Sequence, residues 1–165
     1  MKHKYIPALL CGFGAAVFTT IPGLRNIACC LLVPLAAIIA VYLHKKTAQN
    51  NLKISIGTAL MLGLFTGIFA ALFASLFDVI ITYFTMTNDF ISSLPESKDI
   101  IRDWNLGALV EESIKLMESM SRDIKSSGFS LLYAVMITIS NVLTYSIFGF
   151  LGGALGVALI NKRKA

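Results

Sequence analysis

Two adjacent cysteines, Cys29 and Cys30, open an apolar run that also contains Pro34. Thiolates bind soft metals and exchange disulfides, so this pair is the first place to look for chemistry. The only other cysteine, Cys11, also falls in an apolar stretch. There is no Cys-x-x-Cys, and neither His3 nor His44 lies near a cysteine in sequence. Adjacent side chains on a helix point about 100° apart, which does not suit one tetrahedral ion. In a membrane Cys11 would lie roughly 15 Å from the pair in depth, beyond the ~7 Å between Cα atoms that a disulfide tolerates. The pair is expected to act as small packing residues beside Pro34, which cannot donate to the Cys30 carbonyl.

The remaining chemistry-bearing residues point the same way. Asp78 closes a long apolar run, where the outer headgroup region is expected. Asn141, with Ser140 and Thr144, could hydrogen-bond between helices. His3 and His44 flank lysines and do not make up a ligand set. The glycine-rich run Phe148 to Gly156 has neither the flanking strand nor the lysine of a phosphate loop. No His-Glu-x-x-His or Gly-x-Ser-x-Gly occurs. No ionisable Asp, Glu, Lys, Arg or His is expected within the membrane interior, although proton coupling and acid–base catalysis usually need one. The expectation is no catalytic, cofactor or metal site, and no enzyme.

The elements that hold these residues follow from composition. Of 165 residues, 56% are hydrophobic and 14% charged, against about 25% charged in a soluble domain. Four stretches lack Asp, Glu, Lys and Arg: Tyr5 to Leu24, Asn26 to His44, Ile54 to Phe77 and Phe129 to Asn161. A membrane-crossing helix needs about 17 to 25 residues. The chain therefore reads as a single all-α membrane domain over 1–165, with four transmembrane helices at about 5–22, 27–44, 54–84 and 129–160. Pro22-Gly23 separates the first two into a tight hairpin, with Asn26 as the N-cap of the second. A cleaved leader competes for the N-terminal run, but a second span follows at once without a small-x-small cleavage motif.

Charge sets the expected orientation. With four crossings, Lys2, Lys4, Lys45, Lys46, Lys53, Lys162, Arg163 and Lys164 share one side with no acid. All nine acids lie between Asp78 and Asp123. The positive-inside rule then puts both termini of this multi-pass membrane protein in the cytoplasm. The net charge of +5 flanks apolar segments and forms no nucleic-acid patch. The last two spans exceed a core about 30 Å thick. They either project outward beyond residues 77 and 141 or tilt strongly, and projection is favoured because Asp78 and Asn141 mark similar levels.

An external helical segment is expected over 85–127. Ser93-Leu94-Pro95-Glu96 has the form of a capping box for a first helix. A second helix is expected from Leu106 to Lys125, with Leu106, Val110, Ile114, Met117 and Ile124 as one apolar stripe and Met120 alongside. This stripe either packs on the outward extensions of the last two spans or offers a face to a partner or the outer leaflet. Its mixed polar face, with Glu111, Glu112, Glu118 and Asp123, is unlike that of a lipid-surface helix.

The third span carries a small-residue ridge, Ala59, Gly63, Gly67, Ala71 and Ser75, at every fourth position. Such small-xxx-small ridges let helix backbones approach in lipid. Met61, Phe65, Phe69, Phe73 and Phe77 form a second, bulky ridge. The fourth span offers Gly149, Gly152, Gly153 and Gly156. The two spans are expected to pack along these small residues within one subunit, with a homodimer seam as the alternative.

Four segments, "NIACCLLVPLAAIIAVYLHKK", "GTALMLGLFTGIFAALF", "NDFISSLPES" and the glycine-rich last span before "NKRK", together resemble uncharacterised bacterial inner-membrane families of unknown function. The resemblance implies a four-helix membrane protein and brings no activity or ligand. The leading expectation is a structural or interaction role in the lipid bilayer, as a homo-oligomer or with a membrane-complex partner. A small transporter or channel formed by oligomerisation is the alternative.

Overall fold

The computed structural model describes residues 5–21, 25–47, 54–103 and 107–162. Among them are six helices: α1 Ile6–Thr19, α2 Arg25–Thr47, α3 Ile56–Thr85, α4 Asp89–Asp103, α5 Ala108–Ser127 and α6 Leu131–Lys162. The chain divides into two compact units, one of residues 1–76 and 138–165 and one of residues 77–137. Helices α3 and α6 contribute residues to both.

The first unit holds α1, α2, the first part of α3 and the last part of α6. A buried cluster takes Ala8 from α1, Val41 from α2, Ala59 and Leu62 from α3, and Val157 from α6. The contacts between helices fix their directions. Along α1, Tyr5 meets Phe65 at a tilt and Phe13 meets Phe73 edge-on, at centroid distances of 4.8 and 5.2 Å, so α1 and α3 run parallel. Along α6, Gly152 faces Pro34 and Ala37, and Gly156 faces Ile38 and Val41, so α2 and α6 run parallel. Against α3, the order reverses: Gly67 meets Tyr145, and Ala59 meets Gly153. The start of α1, the end of α2, the start of α3 and the end of α6 therefore share one end of this bundle. Lys45, Lys46 and Lys162 lie at that end.

Three described helices are long and apolar enough to cross a membrane: Cys29–Thr47, Ile56–Thr85 and Leu131–Lys162. Helix α1 is apolar but has 14 residues, or about 21 Å, which is shorter than the first span expected from sequence. Pro22 to Leu24, expected to form the hairpin turn, lie outside the described residues. Only 28% to 33% of each long helix's apolar window is buried. The exterior of the first unit displays Leu10, Phe18, Leu35, Leu143, Ile147 and Leu155. A water-soluble bundle hides such residues, and so much exposed apolar surface suits a lipid environment. These are the features of a membrane protein.

The second unit holds the end of α3, α4, α5 and the start of α6. Its core is Met120, Ile124 and Tyr133, with Phe90, Ile91, Met117 and Ile137 packed around them. The ends of its helices are specified locally. The Ile91 amide donates to Asn88 Oδ1 at 2.9 Å, so Asn88 caps α4. The capping box expected at Ser93 to Glu96 does not form: Ser93 lies inside α4, where its hydroxyl donates to the Asp89 carbonyl at 2.7 Å. Helix α5 ends at Gly128, whose φ of 73° is left-handed and whose amide donates to the Ile124 carbonyl. A Cβ there would sit 3.2 Å from the Tyr83 carbonyl carbon, so both backbone angle and space call for glycine.

Candidate functional site

The most closely built region of the first unit is the seam between α3 and α6. Small residues recur on both helices at spacings that keep them on one face. A Cβ on Gly63 would lie 2.8 Å from the Gly153 Cα, and one on Gly149 would lie 2.9 Å from the Gly67 Cα. A Cβ on Gly67 would lie 2.8 Å from the Tyr145 carbonyl carbon. Carbon atoms pack best about 3.5 to 4.0 Å apart, so the two backbones approach too closely for any side chain here. Ala59 and Ala71 are fully buried, and Ser75 is nearly so. The structure thus brings Ala59, Gly63, Gly67, Gly149 and Gly153 together. Gly152 and Gly156 differ from expectation: they face α2, half a ridge away from α3.

Polar side chains bracket the seam. At its far end, Asn141 Nδ2 donates to Ser75 Oγ at 2.9 Å, and both residues are buried. At the basic end, Asn161 uses both ends of its amide on one residue. Its Oδ1 accepts from the Ile54 amide at 3.3 Å, and its Nδ2 donates to the Ile54 carbonyl at 3.2 Å. Ile54 precedes α3 and has no helical partner for these groups, so Asn161 satisfies them. Sequence reading passed over Asn161. Its signal was an amide at the end of an apolar run, level with the start of the preceding span. Thr66, also buried, donates back to the Leu62 carbonyl at 2.7 Å within α3.

The middle of the bulky ridge of α3 packs inside the unit, while Met61 at its start is exposed. Phe65 and Phe73 meet Tyr5 and Phe13 of α1, and Phe69 stacks on Phe65 at 6.3 Å. Gly12 of α1 fits against the same face, 2.8 Å from its would-be Cβ to the Thr66 carbonyl oxygen. The apolar stripe of α5 is likewise turned inward. Val110, Ile114 and Ile124 are buried and Met117 half-buried, with the core of the second unit formed around Ile124 and Met120. That arrangement favours packing over an outward partner face. Leu106 lies outside the described residues. Lys98 of α4 and Glu118 of α5 form an ion pair of 2.5 Å, and the ammonium holds the Glu118 carboxyl below its ordinary range.

Cys29 Sγ and Cys30 Sγ lie 3.5 Å apart, and neither they nor Cys11 form a disulfide. Among the described residues, no group of three or more His, Cys, Asp or Glu could hold a metal. A family profile described as a protein of unknown function, DUF4199, matches residues 5–163. The chain belongs to the DUF4199 family. No curated protein and no solved structure matches it. The family match takes in both units, so the seam, the Asn161 tie and the α4–α5 pair all fall within the DUF4199 region.

Proposed function

We propose that this is a non-enzymatic bacterial inner-membrane protein that crosses the bilayer four times. Both termini lie in the cytoplasm, and residues 78–127 lie outside. Its role is structural or interaction-based: it assembles with itself or with another membrane complex. The observation that carries this reading is the pairing of an apolar exterior with a glycine-lined seam in the first unit. In lipid, helix association draws on close backbone packing and interhelical hydrogen bonds, and the small-xxx-small seam with Asn141–Ser75 supplies both.

Three further features support the four-span topology. Helices α1 and α3 run parallel and opposite to α6, as alternating crossings require. Lys45, Lys46 and Lys162 collect at one end of the bundle, as the positive-inside rule expects of a cytoplasmic face. The two units divide after Leu76 and before Thr138, close to the levels of Asp78 and Asn141. Helix α1 is short, and local thinning of the bilayer accommodates such a segment at modest cost. A structural role is favoured over transport because Thr19, Thr66, Ser75 and Asn141, buried in the first unit, bond to neighbouring protein groups.

The test is extraction followed by mass measurement. The protein should stay with membranes washed in alkaline carbonate, and a mild-detergent preparation should run as an oligomer or with a stable partner. A monomer without a partner would overturn the interaction role. Release by carbonate would overturn the membrane assignment.

A further inference from the structure

A groove of about 570 Å³ runs between α2 and α6 at the basic end of the first unit. Its walls are Ile38, Ile39 and Tyr42 from α2, and Leu159, Ile160 and Lys162 from α6. The volume falls in the range of small-molecule sites, about 300 to 1,000 Å³. The order of residues along it is graded. Farthest from the basic end are Ile38, Ile39, Leu159 and Ile160, with Ile39 and Leu159 exposed to the surroundings. Tyr42 comes next, one turn towards the end of α2. Lys162 closes the α6 side, three residues beyond Leu159.

The grading continues past the groove. Lys45 and Lys46 follow Tyr42 by three and four residues, so they share its face of α2. The two helices are parallel and held close by Gly156 against Ile38 and Val41. Both therefore present apolar residues first and cations last, in the same direction. This matches an amphiphile with an acyl tail and an anionic head. A free phosphate would have no use for the isoleucine and leucine walls, and a zwitterionic lipid would gain less from the lysines.

We propose that the α2–α6 groove binds one anionic phospholipid, with an acyl chain against Ile38, Ile39, Leu159 and Ile160 and its phosphate at Lys162, beside Tyr42 and Lys45. Basic pockets between transmembrane helices on the cytoplasmic side recognise anionic headgroups through this chemistry. The site rests on the membrane assignment proposed above. It also gives the basic cluster a task beyond orientation, since a bound lipid tying α2 to α6 stabilises the folded bundle by linkage.

The test is native mass spectrometry of the full chain, delipidated in detergent and titrated separately with phosphatidylglycerol and phosphatidylcholine. The expected result is one retained phosphatidylglycerol, with clear preference over phosphatidylcholine. Lys162→Gln should weaken phosphatidylglycerol about fivefold and leave phosphatidylcholine unchanged, since a lysine near an anionic headgroup contributes about that factor. Leu159→Trp should fill the groove and reduce retention of both lipids. Lys125→Gln, in the second unit, should change neither. Helical circular dichroism confirms that each variant is folded, and Leu159→Ala, which enlarges the groove, replaces the tryptophan variant if that one does not fold; it too should alter retention. Equal retention of the two lipids, or a Lys162→Gln variant that binds like the parent, overturns the lipid site. Occupation of the groove by a second copy, seen as a dimer that excludes lipid and dissociates in Leu159→Trp, overturns it as well. In both cases a protein that resists carbonate extraction leaves the membrane assignment standing.

Discussion

Asn141 and Ser75 are 66 residues apart in sequence, yet the Asn141 amide donates to the Ser75 hydroxyl at 2.9 Å in the buried interior of the first unit. The bond ties α6 to α3 at the end of the glycine seam. Interhelical hydrogen bonds in membranes contribute about 0.6 kcal/mol on average, with a maximum near 1.7. A double-mutant cycle of Ser75→Ala and Asn141→Leu, followed by reversible unfolding in mixed micelles, should give a coupling of about that size. Strict additivity would show that the pair contributes nothing.

The glycines of the first unit differ in what surrounds them, so alanine should separate them. Gly67→Ala drives a methyl group into the Tyr145 backbone, which cannot step aside as a side chain could. Overpacking of this kind costs about 1 to 3 kcal/mol. Gly14 has open space where a Cβ would go, and Gly14→Ala should instead stabilise α1 by up to about 1 kcal/mol through helix propensity. Detergent unfolding midpoints check both. A tolerated Gly67→Ala would mean that the α3–α6 seam is looser than the structure shows.

The cysteine pair should be dispensable. Its thiols contact each other without a disulfide, and Cys30 is exposed on an apolar exterior. Cys29→Ala/Cys30→Ala is expected to change stability by no more than about 0.5 kcal/mol and to leave assembly intact. Loss of an oligomer, or of a metal found in the parent by elemental analysis, would contradict the packing role.

Glu118 should titrate below its ordinary value of 4.5, because the Lys98 ammonium stabilises its carboxylate. The folded pKa is depressed, so the pair's contribution is present above the unfolded value and is lost as pH falls through the folded one. Lys98→Met should bring the Glu118 midpoint back up, as read by carboxyl NMR titration. Added salt should shrink the difference between parent and variant, since the pair is exposed. An unchanged midpoint in Lys98→Met would assign the shift to another group.

Much of this arrangement is legible in the sequence. Long charge-free runs forecast α2, α3 and α6, because hydropathy over some twenty residues is a strong signal. The spacing of Gly63, Gly67, Gly149 and Gly153 pointed to the seam, since a four-residue repeat keeps one face. What could not be read was the choice among equivalent faces. Gly152 and Gly153 are neighbours in sequence, yet one meets α2 and the other α3, and only the assembled bundle decides that. The start of α4 differs from the sequence expectation for a local reason. Ser93-Leu94-Pro95-Glu96 carries the capping pattern, but Asn88 caps five residues ahead of it, and Ser93 bonds back into the helix. Helix α4 continues through Pro95 although proline has no amide to donate.

The central claim is an even number of crossings that leaves Lys46 inside and the α5 end outside. In a background with Cys11, Cys29 and Cys30 replaced by alanine, single cysteines at Lys46→Cys and Ser126→Cys can be probed in spheroplasts with a membrane-impermeant maleimide. The account predicts labelling at 126 in intact spheroplasts and at 46 only after permeabilisation. Labelling of both positions from the same side would contradict it.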